Sequence, residues 1–476
     1  MILGDGPGRT GATSFTNTYY GEVGPRVGFA YAATEKLVIR GGYGINYAPN
    51  LQDGFNFPYY VGFDGSNPII QRTGRFREDA SYNWDGTYPP FTQVLPNTDP
   101  TLLNGQDIGY YLPGTKKFPM VQNWNIGVQM ELPWKTRLEA NYIGNKSTRL
   151  NTQYNSSLNQ VDSKYLSLGD ALLDDISDHP EIKKPYPSFE GTVGQALRPF
   201  PQYQTISTHR TNIGRGDYHA LQITATRRSG NLSYLAAYTW SRARSDSDSA
   251  IGGATYTGGY GQDFYNLKAD FGVTTFHRPH DLKLTWIYEF PFGPQHRWAQ
   301  TGVLSRLAGG WTMSGIQRYT SGAPLHISAD VFDTSGLYNN GFYADIKLPK
   351  DQWVIGSKPK DPDINVGTPY LNPAAFGPPP STPSGALPTR FGNAGRFLDG
   401  LRGFATWSED FSLVKRTGLK FREGALFEIR MDVSNIFNRT GINDPNTDAG
   451  DPASFGRIFG KYGAGRTIQV GARFTF

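Results

Sequence analysis

The chain has 476 residues, of which 38% are hydrophobic, 14% aromatic and only 18% charged, with 57 Gly and 33 Pro. That balance disfavours a helical protein and fits strands separated by long irregular connections; the absence of Cys excludes a disulfide framework, a thiol nucleophile and thiolate metal sites. A net charge of +5 is small for this length, and no Lys/Arg run points to nucleic acid as a partner.

The start of the chain, Met1-Ile-Leu-Gly-Asp-Gly-Pro-Gly-Arg9, has neither a charged n-region nor an apolar core of roughly 7–15 residues, so no signal peptide is expected there. Two expectations follow: a chain that is not exported, or the C-terminal piece of something longer. No window approaches the roughly 18 consecutive apolar residues of a membrane-spanning helix. If the chain crosses a membrane, strands must do it, because only helices and closed barrels satisfy every backbone hydrogen bond in lipid.

Eleven stretches alternate apolar with polar or small residues: 25–33, 36–47, 121–132, 136–145, 217–228, 231–242, 281–290, 310–321, 407–417, 424–437 and 466–476. Most reach the roughly 9–11 residues of a transmembrane strand. Strand side chains alternate between faces, so Leu37, Ile39, Tyr43, Ile45 and Tyr47 share one face, as do Trp124, Ile126, Val128, Met130 and Leu132. Leu282, Leu284, Trp286, Tyr288 and Phe290 form a third such row; the opposite faces carry Arg40, Asn46, Asn125, Gln129, Glu131, Lys283, Thr285 and Glu289. In the last stretch Ile468, Val470, Ala472, Phe474 and Phe476 face one way and Thr467, Gln469, Gly471, Arg473 and Thr475 the other. One face suits lipid and the other water.

Connections alternate in length. Short links at 33–35, 133–135, 229–230 and 418–423, and a longer one at 291–309, interleave with long connections at 48–120, 146–216, 243–280, 322–406 and 438–465. Outer-membrane barrels have short periplasmic turns and longer extracellular loops, so the first strand is expected to enter from outside and the last to end on the periplasmic side. Eleven antiparallel strands cannot close on themselves without a parallel pair, and bacterial single-chain barrels have even strand numbers. Left open, the first and last strands expose unpaired backbone groups, which eleven further strands would cover.

Several local features invite a sharper role. Phe55, Phe57, Tyr59, Tyr60 and Phe63 crowd one Gly/Asn/Pro-rich connection, and Tyr256, Tyr260, Phe264 and Tyr265 crowd another; Tyr59, Tyr60, Phe63, Tyr256 and Tyr260 are candidates for stacking on a ligand at an outer mouth, with loop self-packing as the alternative. His277-Arg-Pro-His280-Asp281 has the composition of a metal pair or a His/Asp catalytic unit, but its spacing supplies neither convergent ligands nor a base-orienting partner. Asp444-Pro-Asn446-Thr-Asp448 resembles half a calcium loop; Ala449 and Phe455 then stand where Gly and a bidentate Glu are needed, so a polar loop is expected. Ser245-Asp246-Ser247-Asp248-Ser249 reads as a solvated loop. No catalytic residue, metal site or cofactor is expected. Charges alternating with apolar residues are expected to point inward, toward a lumen where they pair across strands or meet a plug or substrate: Arg40, Gln129, Glu131, Glu428, Arg430, Asp432, Gln469 and Arg473. Arg or Lys on the lipid face at mid-bilayer would cost about 2–4 kcal/mol, whereas cross-strand opposite charges stabilise by only roughly 0.2–1 kcal/mol.

Ordered segments along almost the whole chain resemble one family. They include Tyr165-Leu-Ser-Leu-Gly-Asp-Ala-Leu-Leu173, Tyr218-His-Ala-Leu-Gln222, Tyr238-Thr-Trp-Ser241, His277-Arg-Pro-His280, Gly309-Gly-Trp-Thr-Met-Ser-Gly315, Ser321-Gly-Ala-Pro324 and Leu371-Asn-Pro-Ala-Ala-Phe376. Phe391-Gly-Asn-Ala-Gly-Arg396, Asp410-Phe-Ser-Leu-Val-Lys415, Arg430-Met-Asp-Val-Ser-Asn-Ile-Phe-Asn438 and the terminal strand complete the set. The chain resembles TonB-dependent outer-membrane receptors of the Oar-like group, which carry an N-terminal carboxypeptidase-regulatory-like domain. The resemblance implies an all-β antiparallel transmembrane barrel, with residues 1–476 as strands 12–22 of 22 and the plug and regulatory-like domain absent. It also implies outer-membrane lipid and the barrel-assembly machinery as partners, Phe474 and Phe476 as the C-terminal assembly signal, and contact with the TonB system only through the missing part.

Three functions follow from these readings: TonB-dependent uptake of a large nutrient such as a glycan or peptide, surface binding or adhesion on the same barrel without uptake, and a soluble all-β enzyme or carbohydrate-binding module. The face pattern, the loop asymmetry and the ordered segments favour the first.

Overall fold

The computed structural model describes residues 11, 19–48, 101, 104–106, 108–110, 117–152, 158–208, 211–247, 262–294, 296–329, 337–338, 342–385, 387–419 and 424–476. Eleven long strands form a single antiparallel sheet in chain order. They are β1 (Arg26–Thr34), β2 (Leu37–Tyr47), β3 (Met120–Leu132), β4 (Thr136–Thr152), β5 (Thr211–Ser229) and β6 (Leu232–Ser245), followed by β7 (His280–Glu289), β8 (Trp311–Thr320), β9 (Thr406–Gly418), β10 (Leu426–Ser434) and β11 (Thr467–Thr475). A two-residue strand, Gly272–Val273, adds to the end of β6.

The cross-strand register carries the two faces unbroken from one edge to the other. Tyr31 opposes Ile39, Ile39 opposes Val128, Val128 opposes Ala140 and Ala140 opposes Ile223. Further along, Tyr238 opposes Leu282, Leu413 opposes Met431 and Met431 opposes Val470. Every apolar row expected from the sequence falls on this one face. A one-residue slip at any seam would have moved a whole strand to the wrong side.

Both edge strands, β1 and β11, are exposed along their whole length, and the order of strands is an open path. The short links lie at one end of the sheet and the long connections at the other. In the three-residue link Pro133–Lys135, Trp134 and Lys135 both adopt left-handed backbone, at φ 60° and 57°.

Two strands run longer than the alternation indicates. β4 has 17 residues and β5 has 19, because the pair continues past the apolar band as a polar ladder in which Lys146, Ser147 and Thr148 oppose Asp217, Gly216 and Arg215. The register shifts around Arg149, whose φ of 56° marks a bulge. β10 stops earlier than expected, at Ser434: Asn435 and Asn438 take φ 53° and 51°, a conformation Asn tolerates better than most side chains.

The buried core lies outside the sheet, in the long connections. One cluster joins Val161, Leu166, Leu172 and Ile176 to Leu337, Phe342 and Leu387, knitting the connection after β4 to the one after β8. A second joins Leu325, Ile327, Trp353, Leu371 and Phe376 to Phe455, knitting the connection after β8 to the one after β10. Short pairs of strands tie the same connections: Asp345–Ile346 with Phe376–Gly377, and Thr368–Pro369 with Arg457–Ile458. The expectation of irregular loops is corrected on this point, since these connections fold into a cap with a core of their own. Gly392 shows how tight it is, because a Cβ there would sit 1.8 Å from the carbonyl oxygen of Tyr343.

Candidate functional site

The polar face is the first candidate surface. Arg40 on β2 hydrogen-bonds Gln129 on β3 and lies 3.6 Å from Glu139 on β4, which also pairs with Arg137; Glu131 opposes Arg137 in the register. Asn145 donates to Asn123 at 2.7 Å and Ser147 to Asn145 at 2.9 Å. At the other edge, Glu428 accepts from Arg416 at 2.8 Å and faces Arg473, while Arg430 pairs with Asp432 at 2.7 Å and Asp432 faces Gln469. All eight sequence-proposed inward residues therefore share one face. They form two clusters toward opposite edges of the sheet rather than a single site.

Asp281 on β7 adds a third cluster that the sequence reading placed elsewhere. It accepts from Arg318 at 3.0 Å and lies 3.7 Å from Lys283, whereas its neighbour His280 faces the other way and meets Tyr238 Oη at 2.8 Å. Strand alternation thus separates the His and Asp that looked like a unit in sequence. Among the described residues no group of three or more His, Asp or Glu side chains is placed to hold a metal ion.

Charged contacts lock the outer ends of β5 and β6 together and tie them to the cap. Asp217 pairs with Arg244 at 2.8 Å, Asp246 accepts the backbone N–H of Arg215 at 2.7 Å, and Arg242 reaches Asp399 at 2.7 Å. The Arg215 and Arg244 guanidinium groups also lie 4.6 and 5.1 Å from the Phe271 ring centre. Behind them Asp270 is buried and accepts from Tyr343 Oη at 2.6 Å. Burial raises its pKa to about 6, against the opposing pull of that hydrogen bond and of Arg396. His277, also buried, has no partner for Nδ1; burial first, and then Arg402, depress its pKa to about 4. The nearby Asp345 carboxylate is held by Arg390 at 2.5 and 2.8 Å inside the cap.

Glu409 on β9 escaped the sequence reading as well. By register it lies on the apolar face, opposite Gln317, yet it is only 1% exposed because Arg439, from the connection after β10, covers it at 2.9 Å. Arg439 in turn sits 5.1 Å from the Trp407 ring centre. The apparent violation of the apolar pattern marks where the lipid-type band ends.

The side-chain oxygens of the 444–451 loop accept from backbone: Asp444 from Phe404 N, the Asn446 amide from Asp448 N, Asp448 from Gly450 N and Asp451 from Ala453 N. Burial raises the Asp444 pKa, opposed by the Phe404 hydrogen bond and by Arg278. This is a polar turn, as its sequence suggests. Tyr59, Tyr60, Phe63, Tyr256 and Tyr260, together with Asp248, lie outside the described residues. Phe474 is about half exposed and Phe476 three-quarters exposed, at the short-link end of β11.

Two of the ordered segments lie in the cap core. Leu166 and Leu172 of Tyr165–Leu173 are buried in the first cluster, and Leu371 and Phe376 anchor the second while Asn372 caps the Ala374 N–H between them. These two segments pack the cap, whereas Tyr218–Gln222, Tyr238–Ser241 and Asp410–Lys415 lie on β5, β6 and β9.

Comparison with known proteins agrees with this architecture. The family described as outer membrane beta barrel domain matches residues 2–469. Among solved structures, the chain is similar to the outer membrane transporter YddB from Escherichia coli, at 10% identity and TM-score 0.42, over 95% of this chain and 40% of that one. It is also similar to the ferric-catecholate import receptor Fiu from K12 E. coli (10%, 0.36, 94% and 34%) and to the FrpB iron transporter from Neisseria meningitidis (10%, 0.37, 95% and 39%). The chain thus spans only about a third to two-fifths of those structures. No curated protein matches it. With the family match running over nearly the entire sequence, the chain belongs to the outer-membrane β-barrel domain family and resides in the outer membrane.

Proposed function

We propose that this chain is the C-terminal part of a TonB-dependent receptor barrel of the Oar-like group, strands 12–22 of 22, that takes up a large nutrient such as a glycan or peptide. The observation that carries the reading is the pair of open edges. Among the described residues β1 and β11 each have a strand partner on one side only, which in an outer-membrane sheet leaves two rows of backbone N–H and C=O groups that lipid cannot satisfy, and further strands of the same barrel are the economical cover.

Two other features support it. The polar face carries paired charges suited to a wet interior, along with Leu235, Ile287 and Ile316, which lie on that face yet stay about half exposed or more; a plug domain seated inside the barrel would cover them. The folded cap is a surface of long connections on which a large ligand could rest, with the aromatic-rich connections around Tyr59 and Tyr256 as contact candidates. Phe474 and Phe476 then act as the assembly signal read by the barrel-assembly machinery. TonB reaches the protein through the part that precedes this chain.

Sequencing the DNA upstream of the Met1 codon tests the reading. An in-frame extension encoding a signal peptide, a small β domain, a plug and about eleven more alternating segments is the expected result. A stop codon and promoter directly upstream would overturn it and leave surface binding without uptake.

A further inference from the structure

The link between β7 and β8 holds a short helix, Gly302–Ala308, that the surrounding fold leaves largely uncovered. Val303, Leu304 and Leu307 are 73%, 65% and 66% exposed, while Ser305 is buried and donates to the Gln300 carbonyl at 3.2 Å. At about 100° per residue the three apolar side chains fall within one arc of roughly 100°, with Ser305 opposite its centre. An apolar stripe of this kind turned outward on a seven-residue helix needs an occupant.

The attachment of the helix shows which occupant fits. Lys415 Nζ donates to the carbonyls of Arg306, Leu307 and Gly309 at 2.9, 3.0 and 2.7 Å, and Trp311 Nε1 donates to Leu307 at 3.0 Å. Lys415 and Trp311 oppose each other in the register on the apolar face, together with Ile429. The helix is therefore moored to the lipid side of the sheet, at its periplasmic rim, and its exposed stripe continues the lipid-facing band. Gly309 and Gly310 permit this: a Cβ on Gly309 would meet the Ser305 carbonyl at 2.3 Å, and one on Gly310 the Arg416 carbonyl at 2.1 Å. Charge complements the picture. Arg306 is exposed beside the stripe, and Arg297 lies 5.3 Å from the ring centre of Trp298, itself half exposed; cations next to Trp at a membrane rim match phosphate headgroups above acyl chains.

We infer that Gly302–Ala308 is an interfacial anchor, with Val303, Leu304 and Leu307 in the acyl region of the periplasmic leaflet and Arg297 and Arg306 at the phospholipid phosphates. The helix fixes the depth and tilt of this side of the barrel. The inference rests on the outer-membrane assignment, and its test keeps the two apart.

The chain has no cysteine, so single spin labels are placed at Leu304→Cys, Leu307→Cys and, as a mid-band control, Leu413→Cys in outer membranes of cells expressing the protein. Collision with oxygen is compared with collision with a water-soluble nickel chelate. The expected result is oxygen exceeding nickel at Leu304 and Leu307, as at Leu413. Nickel exceeding oxygen at both helix positions, with Leu413 unchanged, would place the helix in periplasmic water and overturn the anchor. Loss of both reagents at the helix positions would mean that protein covers the stripe and would overturn it equally. Nickel access at Leu413 as well would defeat the membrane assignment itself.

Discussion

At the residue scale, two buried titratable groups in the cap oppose each other. Asp270 has a folded pKa raised to about 6 from 3.8, so its burial costs stability progressively as pH rises through that window. His277 has a folded pKa lowered to about 4 from 6.5, so the unfolded chain takes up a proton first on acidification, and its contribution to stability grows as pH rises from 4 to 6.5. The two largely cancel between pH 4 and 6. Asp270→Asn removes one side of the balance, so cap stability in that variant should rise more, or fall less, with pH over this range than in the parent; amide exchange of the Leu325–Ile327 segment at several pH values reads it. The Glu409–Arg439 pair gives a second outcome. Arg439→Ala leaves a carboxylate that is 1% exposed without its cation and should cost roughly 3 kcal/mol, near the lower bound for a broken buried pair because Arg439 itself is half exposed. Glu409→Gln in the same background should restore most of that loss in urea unfolding.

At the element scale, the strands were legible because period-two alternation survives wherever one face meets lipid and the other water. The eleven stretches from 25–33 to 466–476 match β1–β11, and the misses are physical. The outer ends of β4 and β5 project beyond the lipid band, so Lys146, Thr148, Asp217 and Arg215 lie on the apolar-face phase without being apolar. That Arg40, Glu428 and Arg473 belong to the face opposite the apolar rows was readable from alternation, but their grouping into separate clusters required the register. The cap was not legible as structure, because its core draws on residues more than a hundred apart in sequence, such as Val161 with Leu387 and Leu325 with Phe455, which no local periodicity links. The β3–β4 turn carries its own prediction. Trp134 and Lys135 occupy left-handed conformations that type I′ hairpins usually assign to Asn and Gly, so Lys135→Gly should stabilise the hairpin by about 1 kcal/mol. Thermal unfolding should show the gain.

At the scale of the whole molecule, the sheet and the cap divide the work. The sheet keeps one apolar face continuous through ten seams and leaves its stability to backbone pairing and lipid, while the cap holds the buried side-chain core. A membrane sheet has no need of a core on its outer face, because the bilayer supplies the apolar medium. The central claim is therefore the sidedness of the sheet. Single-cysteine labelling along β3 in outer membranes, with a water-soluble maleimide, reads it at each position from Asn123 to Met130 except Gly127, where a Cβ would meet the Ala140 carbonyl at 2.8 Å. Period-two labelling is expected: Asn123, Asn125 and Gln129 react, and Trp124, Ile126, Val128 and Met130 do not. Uniform labelling of both sets, or labelling in the opposite phase, would contradict it.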